Sequence, residues 1–178
     1  MDRVRADFRE LVESATVREL KRPTNGTRWT NEQLLFHMLF GYLLVRNLLF
    51  LVRGFAHLPE EVSRRFAATL NAGTRPFHVV NYLGSLGGAR VLGYVRMEPL
   101  MDRTIAALQA SLDQELDVQL ARSMHFPVGW DPYFLEVMTV SEVYHYPTQH
   151  YRHHRRQLTL DHLPPDTLQA SADGAEGV

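Results

Sequence analysis

The chain contains no cysteine, and a single lysine, Lys21, stands against 18 arginines. Without cysteine there is no disulfide, no thiolate metal site and no cysteine nucleophile, so any thiol chemistry must take its thiol from solution. A formal net charge of −1 over 178 residues provides no basic field to hold a phosphate backbone, which argues against a nucleic-acid partner. The N-terminal stretch MDRVRADFRELVES lacks the apolar segment of a secretory signal, so the expected location is the cytoplasm. Gly84, Gly87 and Gly88 lack the Gly-Lys-Ser/Thr ending and the preceding strand of a phosphate loop, and read instead as close helix packing or a turn. No sustained strand alternation and no solenoid-period repeat are present.

One long hydrophobic run exists, from Leu34 to Val52, but His37, Arg46 and Asn47 interrupt it. Each would cost about 2–3 kcal/mol at the centre of a bilayer, so the run reads as a buried bundle helix and no membrane partner is expected. With 45% hydrophobic and 22% charged residues the composition is that of one globular domain, expected over residues 1–162. The small, polar tail over 163–178 is expected to be disordered.

The periodicity predicts an all-α fold, a four-helix up-down bundle with additional short helices and loops. An amphipathic helix is expected over 2–20, carrying Val4, Phe8, Leu11, Val12 and Leu20. The second starts at the Thr30/Gln33 capping box and ends near Arg53, with Gly54 as its stop. A shorter one follows over 60–71, then a loop with a Gly-interrupted helical stretch over 72–93. A long helix is expected from about Arg90 to Leu112, with Val91, Tyr94, Val95, Leu100, Ile105, Leu108 and Leu112 as core candidates. Residues 113–133 read as a loop, with an extended piece near Tyr133–Met138. The last helix starts at the Thr139/Glu142 capping box, runs to about Leu160 and kinks near Val143–Pro147. The apolar excess around the second helix predicts a homodimer.

Nine histidines are present, four of them at 145, 150, 153 and 154. Residues four apart on a helix sit about 40° apart around the axis and about 6 Å along it, so the His150 and His154 imidazoles can converge on one ion. A 150/153 pair is less favourable. His145 falls on another side of a straight helix, unless the Pro147 kink swings it in. A third ligand must come from elsewhere, and His37, the lone ionisable group in the most apolar helix, is the candidate. The alternatives are a core histidine satisfied by one hydrogen bond and a solvated basic helix end. One metal site explains both observations together.

At these residues the chain resembles the DinB/YfiT-like family. Trp29-Thr30 followed by His37 is similar to that family's W-[S/T]-x6-H helix start. His150-x3-His154-Arg155-Arg156-Gln157-Leu158 is similar to its H-x3-H-R-G-Q-L segment, with Arg156 where glycine is frequent. The resemblance covers about residues 1–162. It implies a metal-binding four-helix bundle whose divalent ion is held by His37, His150 and His154. It also implies, for some members, transferase or isomerase chemistry with a low-molecular-weight thiol such as mycothiol, bacillithiol or glutathione.

The residues are compatible with that chemistry. Three neutral imidazoles leave a divalent ion its full charge and an open fourth position, with zinc the first expectation and nickel or iron the alternatives. Gln33 and Gln157 are candidates to orient ligand N–H groups. Trp29, Trp130 and Tyr133 are candidates for the mouth, and Arg152, Arg155 and Arg156 for attracting a thiol's carboxylate. The expected function is a metal-dependent enzyme acting on a small molecule, a thiol-dependent S-transferase or isomerase. The alternatives are a non-catalytic metal- or ligand-binding bundle and a metal-hydroxide hydrolase. No acid–base residue stands beside the ligands in the sequence.

Overall fold

A computed structural model describes residues 1–161 and 163; most of the expected tail therefore lies outside the described residues. The fold is mostly α. Its elements are α1 (Asp2–Ser14), α2 (Val17–Leu20), α3 (Asn31–Phe55), α4 (Glu60–Ala72), α5 (Thr74–Leu92), α6 (Tyr94–Leu112), α7 (Asp117–Leu120), β1 (Ser123–His125), β2 (Val137–Thr139) and α8 (Val140–Arg155).

Four helices enclose the core. α3 packs against α6 and α8, and α1 against α6. A buried ion pair from Asp7 on α1 to Arg155 on α8 closes the ring. The core-facing residues of α1 are Val4, Phe8, Leu11 and Val12, at helical spacing. The α3 helix is long and apolar enough to cross a membrane, yet 56% of its apolar window is buried inside the fold, as befits the central helix of the bundle. Its start is the capping box Thr30/Gln33.

Several boundaries differ from those expected. The first helix breaks at Ala15, and Thr16 with Glu19 forms a capping box that starts the separate turn α2. The α3 helix passes Gly54 and continues to Phe55. Glycine permits a helix stop without imposing one, and here the Phe55 ring stacks on Phe66 of α4 at 4.5 Å. The α5 helix is continuous over the glycine-rich stretch. An added Cβ at Gly88 would fall 2.1 Å from Phe36 Cζ, so this glycine brings the α5 backbone against an α3 ring.

The long helix expected from Arg90 is two helices. Gly93, at φ +69°, turns the chain between α5 and α6. Val91 and Val95 flank this corner and are 81% and 68% exposed, against their expected place in the core, whereas Ile105 and Leu108 are buried as expected.

Strands β1 and β2 form an antiparallel hairpin with Met124 opposite Met138. The extended piece near Tyr133–Met138 thus lies slightly later in the chain, and its partner strand falls within the expected loop. β2 leads directly into α8, which starts at the Thr139/Glu142 capping box. α8 remains helical through Pro147 and ends at Arg155, short of Leu160. The connection over 126–136 carries Trp130, Asp131, Tyr133 and Phe134 to the face shared by α3 and α8.

Candidate metal centre

The shared face of α3 and α8 brings His37, His150 and His154 together. Their candidate ligand nitrogens all lie within 4.8 Å of one another, and His37 Nε2 is 3.1 Å from His150 Nε2. A tetrahedral ion with bonds of 2.0–2.1 Å needs its nitrogens roughly 3.3 Å apart, close to this pair. His37 and His150 are buried and His154 is half-buried.

Neighbouring groups fix two of the three rings. Ser85 Oγ donates its hydrogen to the Asn81 carbonyl at 2.9 Å, so it accepts from His37 Nδ1–H at 3.1 Å. The His37 Nε2 lone pair is thereby left facing inward. Gln157 Oε1 accepts from His154 Nδ1–H at 2.6 Å, with the same consequence. Gln157 is held in turn by the loop before α3, where the Asn25 amide donates to its carbonyl at 2.8 Å.

His150 is the ring that hydrogen bonding leaves unsatisfied. Its Nδ1 is buried with no hydrogen-bond partner among the described residues. It packs against Gly41, where a Cβ would fall 2.9 Å from that nitrogen. Gly41→Ala is therefore expected to push the His150 ring off its present position and weaken zinc binding about 10- to 100-fold, the scale seen when a ligand's supporting contact is lost. A chelator competition giving unchanged zinc affinity would refute this role for Gly41.

Burial, with the charge of His154 as a lesser cause, holds the His37 pKa down to about 3. Burial likewise holds His154 down to about 4, with Gln157 opposing it. Burial and the neighbouring imidazoles hold His150 well below its ordinary value. All three are thus neutral at pH 7 and offer lone pairs, as a nitrogen-ligated divalent ion requires. Buried neutral donors with two of three tautomers set inward fit such an ion.

Asp131 supplies an acid–base group that the sequence did not place there. Its Oδ2 is 3.8 Å from His150 Nε2. The same oxygen accepts from the Tyr146 hydroxyl at 2.9 Å, while Oδ1 accepts from the Tyr133 amide at 2.9 Å. Burial raises its pKa, and those two hydrogen bonds oppose the rise. A small cavity of about 30 Å³, enough for one water molecule, lies between these groups; His37, His150, Asp131, Asn81 and Tyr146 are on its wall.

Other expected roles sort differently. Gln33 spends its side-chain oxygen on the Thr30 amide at 3.0 Å, so its place is in the helix cap and Ser85 orients His37 instead. His145 is exposed, and His153 lies beside the trio with its Nδ1 3.1 Å from the Tyr133 hydroxyl. Trp29 packs on His37, ring centroids 4.3 Å apart, and stacks on Tyr82 at 6.1 Å. Trp130 stacks on Phe77 at 3.9 Å and donates to the Leu70 carbonyl. Arg155 faces away from the trio, in its buried pair with Asp7.

A family model described as the DinB superfamily matches residues 1–158. No curated protein and no solved structure matches the chain.

Proposed function

The chain belongs to the DinB superfamily, and from that membership and the three converging imidazoles we propose a metal-dependent enzyme that activates a small nucleophile. His37, His150 and His154 would hold one divalent ion, with zinc the first choice. The observation that carries this reading is the inward-facing set of neutral nitrogens within 4.8 Å of one another, with the Asp131 carboxylate over the same space. When bound, the ion supplies positive charge that lowers the pKa of a thiol or a water molecule.

The chain's own residues would then do three things. Ser85 and Gln157 hold the His37 and His154 rings in the tautomer that points Nε2 inward. Asp131 Oδ2 stands where it can accept the nucleophile's proton, with Tyr146 keeping that carboxylate in place. Trp29 covers the His37 and His154 rings.

In the leading reading the nucleophile is a low-molecular-weight thiol such as mycothiol. The new bond joins its sulfur to an electrophilic carbon, the leaving group departs with the bonding pair, and the thiol proton passes to Asp131. A chain without cysteine must take its thiol from solution. Hydrolysis by an activated water is the second reading, favoured by the one-water size of the cavity beside Asp131.

The test loads the protein with zinc and assays an epoxide or a chlorinated aromatic with mycothiol, bacillithiol or glutathione, and with no thiol. Thiol-stimulated turnover that disappears in His154→Ala is the expected result. Turnover independent of thiol supports the hydrolase, and no turnover with any substrate leaves a binding bundle as the better account.

We also propose a homodimer, with an apolar side of α5 as its contact. Val80 and Val91 are exposed on one side of α5, at helical spacing with Gly84 and Gly87, beside which an added Cβ would meet nothing. Light scattering is expected to give twice the 20.5 kDa chain mass. A monomer at micromolar concentration would refute it.

A further inference from the structure

Beside the candidate metal centre lies a second, larger cavity that none of the histidine chemistry uses. Its volume is about 240 Å³, and no polar atom is exposed on its wall. α3 contributes Val45, Leu48 and Val52, α4 contributes Phe66 and Leu70, and the hairpin contributes Met124 and Met138. Four residues, Leu44, Trp130, Phe134 and Tyr146, line this cavity and the small cavity at the imidazoles alike. The partition between the two is therefore made of side chains. Tyr146 belongs to both walls, with its ring 4.6 Å from Phe134 and 5.8 Å from His150.

We infer that this cavity is the seat of the apolar body of a small amphiphilic substrate, whose polar head reaches the three imidazoles past Trp130 and Tyr146. The wall excludes a charged or sugar-like body, because nothing on it can replace the hydrogen bonds such a body would lose. The volume falls just below the usual range of ligand pockets, which fits a short alkyl chain or a one- or two-ring aromatic and excludes a long lipid or a peptide. The head must be polar, because the adjoining space is bounded by His37, His150, Asp131 and Asn81. The inference relies on the proposed metal reading only for the destination of the head; the apolar seat stands on the cavity itself.

The test uses two probes on the full-length protein. The first is a pair of metal-binding hydroxamates, acetohydroxamate and hexanohydroxamate, titrated by calorimetry into the zinc-loaded protein. Burial of each added methylene is worth about 3- to 4-fold in affinity, so the longer compound is expected to bind about a hundredfold more tightly. Leu70→Trp fills the cavity and Leu48→Asp places a charge at its rim, where Leu48 is already 39% exposed and the substitution spares the core. Either variant is expected to cut the chain-length advantage below about tenfold and leave acetohydroxamate binding unchanged. Equal affinity of the two hydroxamates for the parent protein would overturn the inference.

The second probe is the neutral two-ring dye prodan, read by fluorescence on metal-free protein. Dye binding that is lost in both variants supports the apolar seat even if no hydroxamate binds, and in that case the metal reading alone fails. No dye binding together with no chain-length effect overturns the seat. So does light scattering in which Leu48→Asp converts a dimer to a monomer without changing the chain-length ratio, because the cavity would then be covered by a second copy.

Discussion

Replacing His37 with alanine is expected to strip the protein of stoichiometric metal while leaving it folded. His150 and His154 are on one helix, and two imidazoles from one helix hold a divalent ion poorly without a third donor. His37 is the donor from the opposite helix, 3.1 Å from His150 Nε2. Its loss removes one ligand and the lone pair that Ser85 sets inward, yet the apolar core around α3 is untouched. The fold should lose about 1–2 kcal/mol, as an ordinary buried substitution does. After gel filtration in zinc-free buffer, the parent is expected to retain one equivalent per chain and His37→Ala a background level. His145→Ala and His153→Ala are expected to retain the full equivalent. A His37→Ala protein with undiminished zinc would mean that the ligand set is wrong, and loss of zinc in His153→Ala would point to the alternative pair on α8.

The largest loss of stability is expected from Asp7→Ala, at a place remote from the chemistry. Asp7 and Arg155 are each 5% exposed. Arg155 Nε donates at 2.8 Å to Asp7 Oδ2 and Nη2 at 2.8 Å to Oδ1, while the Tyr151 hydroxyl donates to Oδ2 at 2.6 Å. Removing the carboxylate takes the Asp7 charge and its hydrogen bonds from the buried guanidinium and leaves the buried Tyr151 hydroxyl without its Asp7 acceptor. Breaking one side of a buried pair costs about 3–5 kcal/mol, a large share of the total stability of a typical domain. Urea unfolding of Asp7→Ala should shift by that amount. Asp7→Leu combined with Arg155→Met should recover most of it, because no charge is then left buried. A loss below about 1 kcal/mol in the single variant would show that the pair does not hold α1 to α8. Since Arg155 follows His154 directly, the same pair also fixes the end of α8 that carries His154.

The sequence made the trio legible because two local signals are simple. An i,i+4 pair on a helix has one geometry, and a lone histidine in an apolar helix needs a reason to be there. The groups that support the trio carry no such signal. Ser85 is a single serine in a glycine-rich stretch, and it reaches His37 only because Gly88 lets α5 approach Phe36 of α3. Gly41 reads as an ordinary helix glycine until the His150 ring is seen against it. Asp131 is nearly 20 residues from His150 in sequence and comes to it through the hairpin, whose three-residue strands are too short for periodicity to register. Gln33 and Gln157 were equally plausible by spacing. The Thr30 amide of the helix cap takes the oxygen of one, and the His154 ring takes that of the other.

Where a helix ends near a glycine is set by packing for a related reason. Gly54 and Gly93 look alike in sequence, but only Gly93 takes a positive φ. Which glycine turns the chain depends on the packing on either side of it, as the Phe55–Phe66 stack beyond Gly54 shows.

The central claim, three imidazoles around one divalent ion, is tested most directly by X-ray absorption at the zinc edge of the zinc-loaded protein. The account predicts a first shell of four light atoms at about 2.0–2.1 Å, with the multiple-scattering pattern of three imidazoles. A shell of oxygens alone, or one that fits with no more than one imidazole, would contradict it.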